Sequence, residues 1–272
     1  MNDTPLNSQS SSVHVGFLRF AHTSVRSEEL DIRKTLSLLA ATAVLTAFGS
    51  QVSAAGSQSS AMQSPALPSP GNFVSRIDNP WFPLKPGTIN VYRGSSDGQP
   101  ARDVFTVTHK TKPIQGIRAT VIDDRVYIKG RLEERTIDWY AQDKAGNVWY
   151  LGEKTATLDA NGKVKSTNGT WMTGIDGARP GIFMPARPRV GQSGRQEYYK
   201  GHAQDQFKIL SLSARVHTPG ASSRHGMLSQ ETTPLEPGVL DHKVYVRGIG
   251  TVTEETIRGG KERYELVSVR HP

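Results

Sequence analysis

Over most of the chain, apolar and β-branched residues alternate with polar ones in short runs. The period is two, the signature of half-buried strands. Runs at 89–92, 103–108, 118–122, 125–128, 132–143 and 148–151 read as strands. Runs at 195–199, 206–216, 226–232, 239–247, 251–257 and 263–269 continue the series. Turn residues separate neighbours: Lys129-Gly130, 143–147, 159–162 and Arg258-Gly259-Gly260-Lys261. About ten to twelve strands joined this way predict an all-β, antiparallel meander that forms a barrel or half-barrel in a single domain. No amphipathic helix is expected in it.

Two stretches break the alternation. Asn79-Pro80-Trp81-Phe82-Pro83-Leu84-Lys85-Pro86-Gly87 is too rich in proline for a helix or a central strand. It is expected to lie extended, with Trp81 and Phe82 plugging one end of the core. The segment 174–189 carries three glycines (Gly174, Gly177, Gly181) and three prolines (Pro180, Pro185, Pro188). It is expected to be a packed loop without regular structure, serving either a function or as a plug of the barrel end.

A different pattern precedes the strands. Arg33 and Lys34 lead into an uncharged apolar run at 36–48, and small residues follow at Val52-Ser53-Ala54. That order predicts an export signal cleaved near Ala54, so the protein is expected in the periplasm or outside the cell. The apolar run is shorter than the about 20 residues a membrane span needs, and no later segment is long enough. The expected organisation is an N-terminal extension and signal over 1–55, a Ser/Ala/Gln/Pro-rich flexible linker over 56–71, and the β domain over 72–272.

Composition narrows the chemistry. The chain has no cysteine, which removes disulfides, thiolate metal sites, cysteine nucleophiles and lipid attachment at a cysteine. Its net charge is +8. The basic residues are scattered among acidic ones without a nucleic-acid motif, so no nucleic-acid partner is expected. Contact with an anionic envelope surface is the remaining reading of the charge. No histidine pair has metal-ligand spacing, and His217 and His225 meet only if a hairpin turns at Pro219-Gly220. There is no phosphate-binding loop, dinucleotide fingerprint or nucleophile elbow, so neither a metal nor a cofactor is expected.

The candidates for chemistry lie on five strands. In 132–143, Glu134, Thr136, Asp138, Tyr140 and Gln142 share one face, and Ile137, Trp139 and Ala141 share the other. The polar face either meets water or lines a polar cavity. Trp139, Tyr140, Trp149 and Tyr150 around one hairpin suit a ringed ligand, or a plain sheet. Arg195, Glu197 and Tyr199 fall on one face of their strand, as do Asp241, Lys243, Tyr245 and Arg247 of theirs. If these strands are neighbours, Arg195, Glu197, Glu231 and Lys243 form either an internal charge network or surface ion pairs.

Several motifs resemble a family of exported bacterial proteins of unknown function. They are Asn79-Pro80-Trp81-Phe82-Pro83-Leu84, Asp138-Trp139-Tyr140-Ala141-Gln142-Asp143, Gly146-Asn147-Val148-Trp149-Tyr150, Arg195-Gln196-Glu197-Tyr198-Tyr199 and Pro234-Leu235-Glu236-Pro237-Gly238. That family carries no assigned reaction, so the resemblance implies export and no catalytic role. The architecture is also loosely similar to the half-barrels of periplasmic lipoprotein carriers, which implies a concave face for an apolar ligand.

The leading expectation is therefore non-catalytic binding of a small or lipophilic ligand. Trp139, Tyr140, Gln142, Trp149, Arg195, Lys243 and Tyr245 are the candidate ligand contacts. One alternative is an enzyme acting on a sugar-like or polyol substrate, with Asp138, Glu197 and Glu231 as acid and base. The other is a module that attaches to the cell envelope.

Overall fold

A computed structural model describes residues 64–272. The expected signal and most of the expected linker lie outside the described residues. Sixteen antiparallel strands form one sheet, and no α-helix occurs among the described residues. In chain order they are β1 (Phe73–Val74), β2 (Ile89–Ser96), β3 (Gln99–Ile114), β4 (Ile117–Ile128), β5 (Arg131–Asp143) and β6 (Val148–Leu158). The short β7 (Val164–Ser166), β8 (Trp171–Met172), β9 (Arg179–Met184), β10 (Ser193–Arg195) and β11 (Glu197–Tyr198) follow. The series ends with β12 (Gln206–Thr218), β13 (Ala221–Thr232), β14 (Leu240–Val246), β15 (Gly250–Arg258) and β16 (Arg263–Arg270).

The strand path runs β10-β12-β13-β14-β15-β16-β2-β3-β4-β5-β6-β9-β11, with β1 added on β5 and β7 and β8 on β6. Its two end strands are separated in the chain by Gln196 alone. The sheet therefore curls until its ends meet, giving the barrel that the alternation predicts. Here the expectation of a single strand at 195–199 needs correction. Arg195 belongs to β10, paired with β12, whereas Glu197 belongs to β11, paired with β9. The Gln196 amide bonds to the Asp205 carbonyl at the crossing.

Residues 174–189 also differ from expectation, because β9 lies inside them. Pro180 is tolerated at the start of this short strand, opposite Glu197, and Gly181 lets another backbone come close. A Cβ on Gly181 would overlap the backbone of Arg195 and Gln196. The proline-rich segment 79–87 plugs the barrel as expected but turns rather than lying extended. Asn79 Oδ1 accepts from the Trp81 amide (2.8 Å), the Phe82 amide bonds to the Asn79 carbonyl, and Ile77 pairs with Leu84. Proline after asparagine favours this turn. His217 faces Ser222 across the β12–β13 hairpin, so it does not meet His225.

The interior has two halves. At the end that carries the 143–147 and 247–249 turns, Phe82 packs against Phe105, Tyr140 and Phe183, with ring centroids 6.3, 5.5 and 4.5 Å apart. Val107, Ile122, Val148 and Met184 join this buried cluster. Towards the opposite end, the inward positions of the same strands turn polar and acidic. A second apolar cluster of Ile114, Ile117, Ala119, Val121, Trp139, Ala141, Trp149 and Leu151 lies on the other face of β3–β6, with Leu67 and Phe73 packed on it.

Candidate functional site

The inward face of β5 is its polar one. Thr136, Asp138, Tyr140 and Gln142 are buried on it, and Ile137, Trp139 and Ala141 belong to the outer cluster. Register extends the polar face to β6, where Tyr150 stands opposite Tyr140, Glu153 opposite Asp138, and Thr155 opposite Thr136. Alternation alone would place Glu153 on the other side from Tyr150. A register shift at Leu151 and Gly152 changes the phase, as a bulge does. Gly152 has φ of 142°, and a Cβ there would press on Trp171 and Met172 of β8. Glycine thus permits both the bulge and the close approach of β8.

Asp138, Glu153 and Glu197 are each fully buried and form one acidic group. The Tyr150 hydroxyl donates to Asp138 Oδ1 at 2.7 Å. Among the described residues, Asp138 Oδ2, both Glu153 oxygens and the Tyr140 hydroxyl have no hydrogen-bond partner. Tyr140 stacks on Tyr150 (centroids 4.6 Å), and Trp171 meets Tyr150 edge-on at 5.3 Å. Burial raises the pKa of all three carboxyls well above the usual range. Neighbouring negative charge adds to it: Asp124 acts on Asp138, Glu197 on Glu153, and Asp205 on Glu197.

A second group is built on Lys243, which is 3 % exposed. Its ammonium lies 2.9 Å from Glu231 and 3.6 Å from Glu254. Ser229 and Tyr245 donate to the same Glu231 oxygen at 3.1 and 3.0 Å. Burial works against the lysine's charge, but the charges of Glu231 and Glu254 outweigh it and leave its pKa raised. Asp103 and Asp124 form a third group, close enough to hydrogen-bond if one keeps its proton. Burial pushes Asp124 up to about 6 and Asp103 well above its usual value, and the charge of Asp124 raises Asp103 further.

Each sequence candidate can now be placed. Asp138 and Glu197 share the first group, and Glu231 sits in the second with Lys243 and Tyr245. The internal charge network therefore exists for Glu231 and Lys243, joined by Glu254 in place of Arg195 and Glu197. Arg195 instead lies over the Tyr198 ring at 4.8 Å, and burial lowers its pKa. Gln142 holds the plug, with its carbonyl accepting from the Asp78 and Asn79 amides and its amide donating to Asp78. Trp149 lies in the outer cluster and donates to Asp143 at 2.8 Å. Trp139 lies on the outer face beneath the Lys112 ammonium, 4.8 Å from its ring centroid.

Sequence reasoning passed over Asp103, Asp124, Glu153, Trp171 and Glu254. A usable signal existed for Asp103 and Asp124, because each sits in phase with apolar neighbours. Ala101, Phe105 and Val107 flank the first, and Ile122, Val126 and Ile128 flank the second. Glu153 gave none without knowledge of the bulge.

An open cleft lies beside this acidic group. It has a volume of about 440 Å³ and lies where β6 meets β8 and the turn after it. Lys112, Lys154, Ile175 and Asp176 stand around it, Trp139, Trp171 and Met172 supply aromatic and apolar surface, and Glu153 borders it with both carboxyl oxygens sealed from solvent. Among the described residues, no cluster of three or more His, Asp or Glu side chains is placed to hold a metal ion. No described helix is long and apolar enough to cross a membrane.

No family model matches the chain, so the resemblance to the exported family rests on its motifs alone. No curated protein matches it either. Among solved structures it is similar to a crystal structure described as that of a "putative lipoprotein" from Parabacteroides distasonis. The TM-score is 0.39 and the identity 10 %, over 70 % of this chain and 98 % of the other. A likeness that distant carries no role across.

Proposed function

We propose that the protein is an exported barrel that binds a small polar ligand without transforming it. The leader at 33–54 supports export. The observation that carries the binding reading is the open cleft of about 440 Å³ beside β6 and β8, where Lys112, Lys154, Thr167, Thr170 and Asp176 stand around Trp139, Trp171 and Met172. That volume falls in the range of small-molecule sites, about 300–1,000 Å³. A lipophilic ligand fits less well, because Trp81 and Phe82 already fill the apolar end of the barrel. Protein recovered under native conditions from the periplasm or the medium should carry extra mass in native mass spectrometry. Failing that, a library of small polar compounds should contain one that raises its melting temperature. An apo mass together with a flat library would remove the binding reading, and a product confined to the cytoplasm would remove export.

A carboxylate-dependent hydrolase for a sugar-like substrate is the second reading. It is favoured by Asp138 and Glu153 standing opposite each other on β5 and β6. Directly opposed Cβ atoms lie about 4.5–5.5 Å apart, so the two carboxyls stand as a pair, the kind of residues that carboxylate-dependent glycosidases use. Turnover of chromogenic glycosides that disappears in Asp138→Asn would favour it over binding alone.

A further inference from the structure

Charge is not spread evenly over the two ends of the barrel. Four loops meet at the end that holds the plug: 75–87, 143–147, 185–192 and 247–249. Asn79 and Pro80 tie them together. The Asn79 side-chain amide donates to the Gly146 carbonyl at 2.8 Å and to the Pro185 carbonyl at 3.1 Å, and the Gly248 amide bonds to the Pro80 carbonyl at 2.7 Å. Lys85, Lys144, Arg187, Arg189 and Arg247 stand exposed on these loops, and among the described residues none of them forms a salt bridge. The two acidic side chains of the loops are both engaged. Asp78 pairs with Arg76 at 3.2 Å, and Asp143 is buried, accepting from Asn147 and Trp149.

The same loops turn apolar side chains outward. Val190 is 63 % exposed between Arg189 and Gly191, and its loop is fixed to β12, because the Gly191 amide bonds to the Ile209 carbonyl at 2.8 Å. Pro80, Pro86 and Ala145 are exposed beside the cations. The opposite end, with the turns at 97–98, 129–130 and 159–162, has a similar local run. There Val164 is 51 % exposed between Lys163 and Lys165. Acids intervene, however. Asp159 accepts from the Lys163 amide at 2.9 Å, Asp97 is exposed, and Glu133 pairs with Arg131 at 2.8 Å. A valine between two cations therefore does not set the plug end apart. Unopposed positive charge across all four of its loops does.

We infer that the plug end is a docking face for a membrane surface rich in anionic lipid, with its five exposed cations against the phosphates and Val190 among the headgroups. Each cation close to such a surface strengthens binding about fivefold. The arginines can also hold a phosphate through two parallel hydrogen bonds. An apolar side chain surrounded by cations fits the boundary between headgroups and acyl chains, which a dissolved polyanion does not offer. No residue of the four loops lines the cleft beside β6 and β8, so this face and the proposed ligand site are separate.

The chain has no cysteine, so a single label can be placed on the full chain at Val190→Cys or Val164→Cys. Each variant takes a bimane label and is mixed with vesicles of equal parts phosphatidylglycerol and phosphatidylcholine. Emission at position 190 should shift to the blue, and more than with phosphatidylcholine alone, while position 164 should not move. Both variants carry the same leader, so its affinity for lipid is common to them. Lys144→Gln/Arg187→Gln/Arg189→Gln should weaken binding to the mixed vesicles about a hundredfold. Lys163→Gln/Lys165→Gln/Lys261→Gln, which removes the same charge elsewhere, should weaken it less than about tenfold. Equal losses in the two triple variants, equal shifts at 190 and 164, or a shift as large on phosphatidylcholine alone overturns the docking face. Tight binding of soluble polyphosphate without a shift at 190 on vesicles overturns the bilayer as the partner.

Discussion

Lys243 illustrates how single residues here depend on their surroundings. It is one buried cation between Glu231 and Glu254, and either partner alone would leave a charge exposed to a low-dielectric interior. Replacing Lys243 with Met keeps the volume but leaves Glu231 and Glu254 in mutual repulsion. The expected loss is about 3–5 kcal/mol, read from the urea midpoint, as for other buried pairs broken on one side. A loss within the error of the measurement would mean that the two carboxyls simply take up protons at no cost. At this scale the sequence was partly legible. Lys243 and Tyr245 lie on one face by alternation, so their company was foreseen, and Asp241 next to them is buried as well. Glu254 was not foreseen, because its place beside Lys243 depends on the β14–β15 register.

Elements were more legible than the joints between them. Every long predicted strand is present, because alternation and turn residues are local signals. The joints are not local. A bulge at Gly152 turns Glu153 inward, the asparagine turn at 79–82 folds the plug back, and Gln196 divides one expected strand between two edges of the sheet. Each depends on contacts with residues far along the chain, which no window of sequence contains. Gly181 tests the last of these joints. The seam passes so close that a methyl group at Gly181 must displace the backbone of Arg195 and Gln196. Gly181→Ala should destabilise the barrel by about 1–3 kcal/mol, as overpacking does. Hydrogen exchange should rise first in β9, β10 and β11. Unchanged exchange there, with normal stability, would mean the seam has room to shift.

The molecule as a whole separates its charges. Residues 64–272 contain 29 basic and 21 acidic side chains, of which ten acids and two bases are buried. That leaves 27 basic against 11 acidic side chains outside, so the surface is far more positive than the net +8 of the chain conveys. Such a surface should adsorb to vesicles rich in anionic lipid and release as salt shortens the screening length, about 8 Å at physiological strength. Equal adsorption to neutral vesicles would remove the envelope role. The interior makes the opposite demand. Its carboxyls have pKa values raised on folding, so the folded chain holds protons that the unfolded chain has released. Stability is therefore full below about pH 4 as far as these groups are concerned, and falls as pH rises through the folded values. For Asp124 that is about 6, and for Asp103, Asp138, Glu153 and Glu197 the decline continues above it. The melting temperature should drop between pH 5 and pH 8. A constant melting temperature over that range would show that the inner carboxyls ionise freely.

The passage through Gln196 has one more consequence. Because a single residue ties the two margins of the sheet together, neither margin is left as a long open flank onto which another copy can add a strand. Opening the chain at that residue and linking the native termini elsewhere would leave every pairing possible but release the tie. Such a permuted protein should clump at concentrations where the natural one stays dispersed.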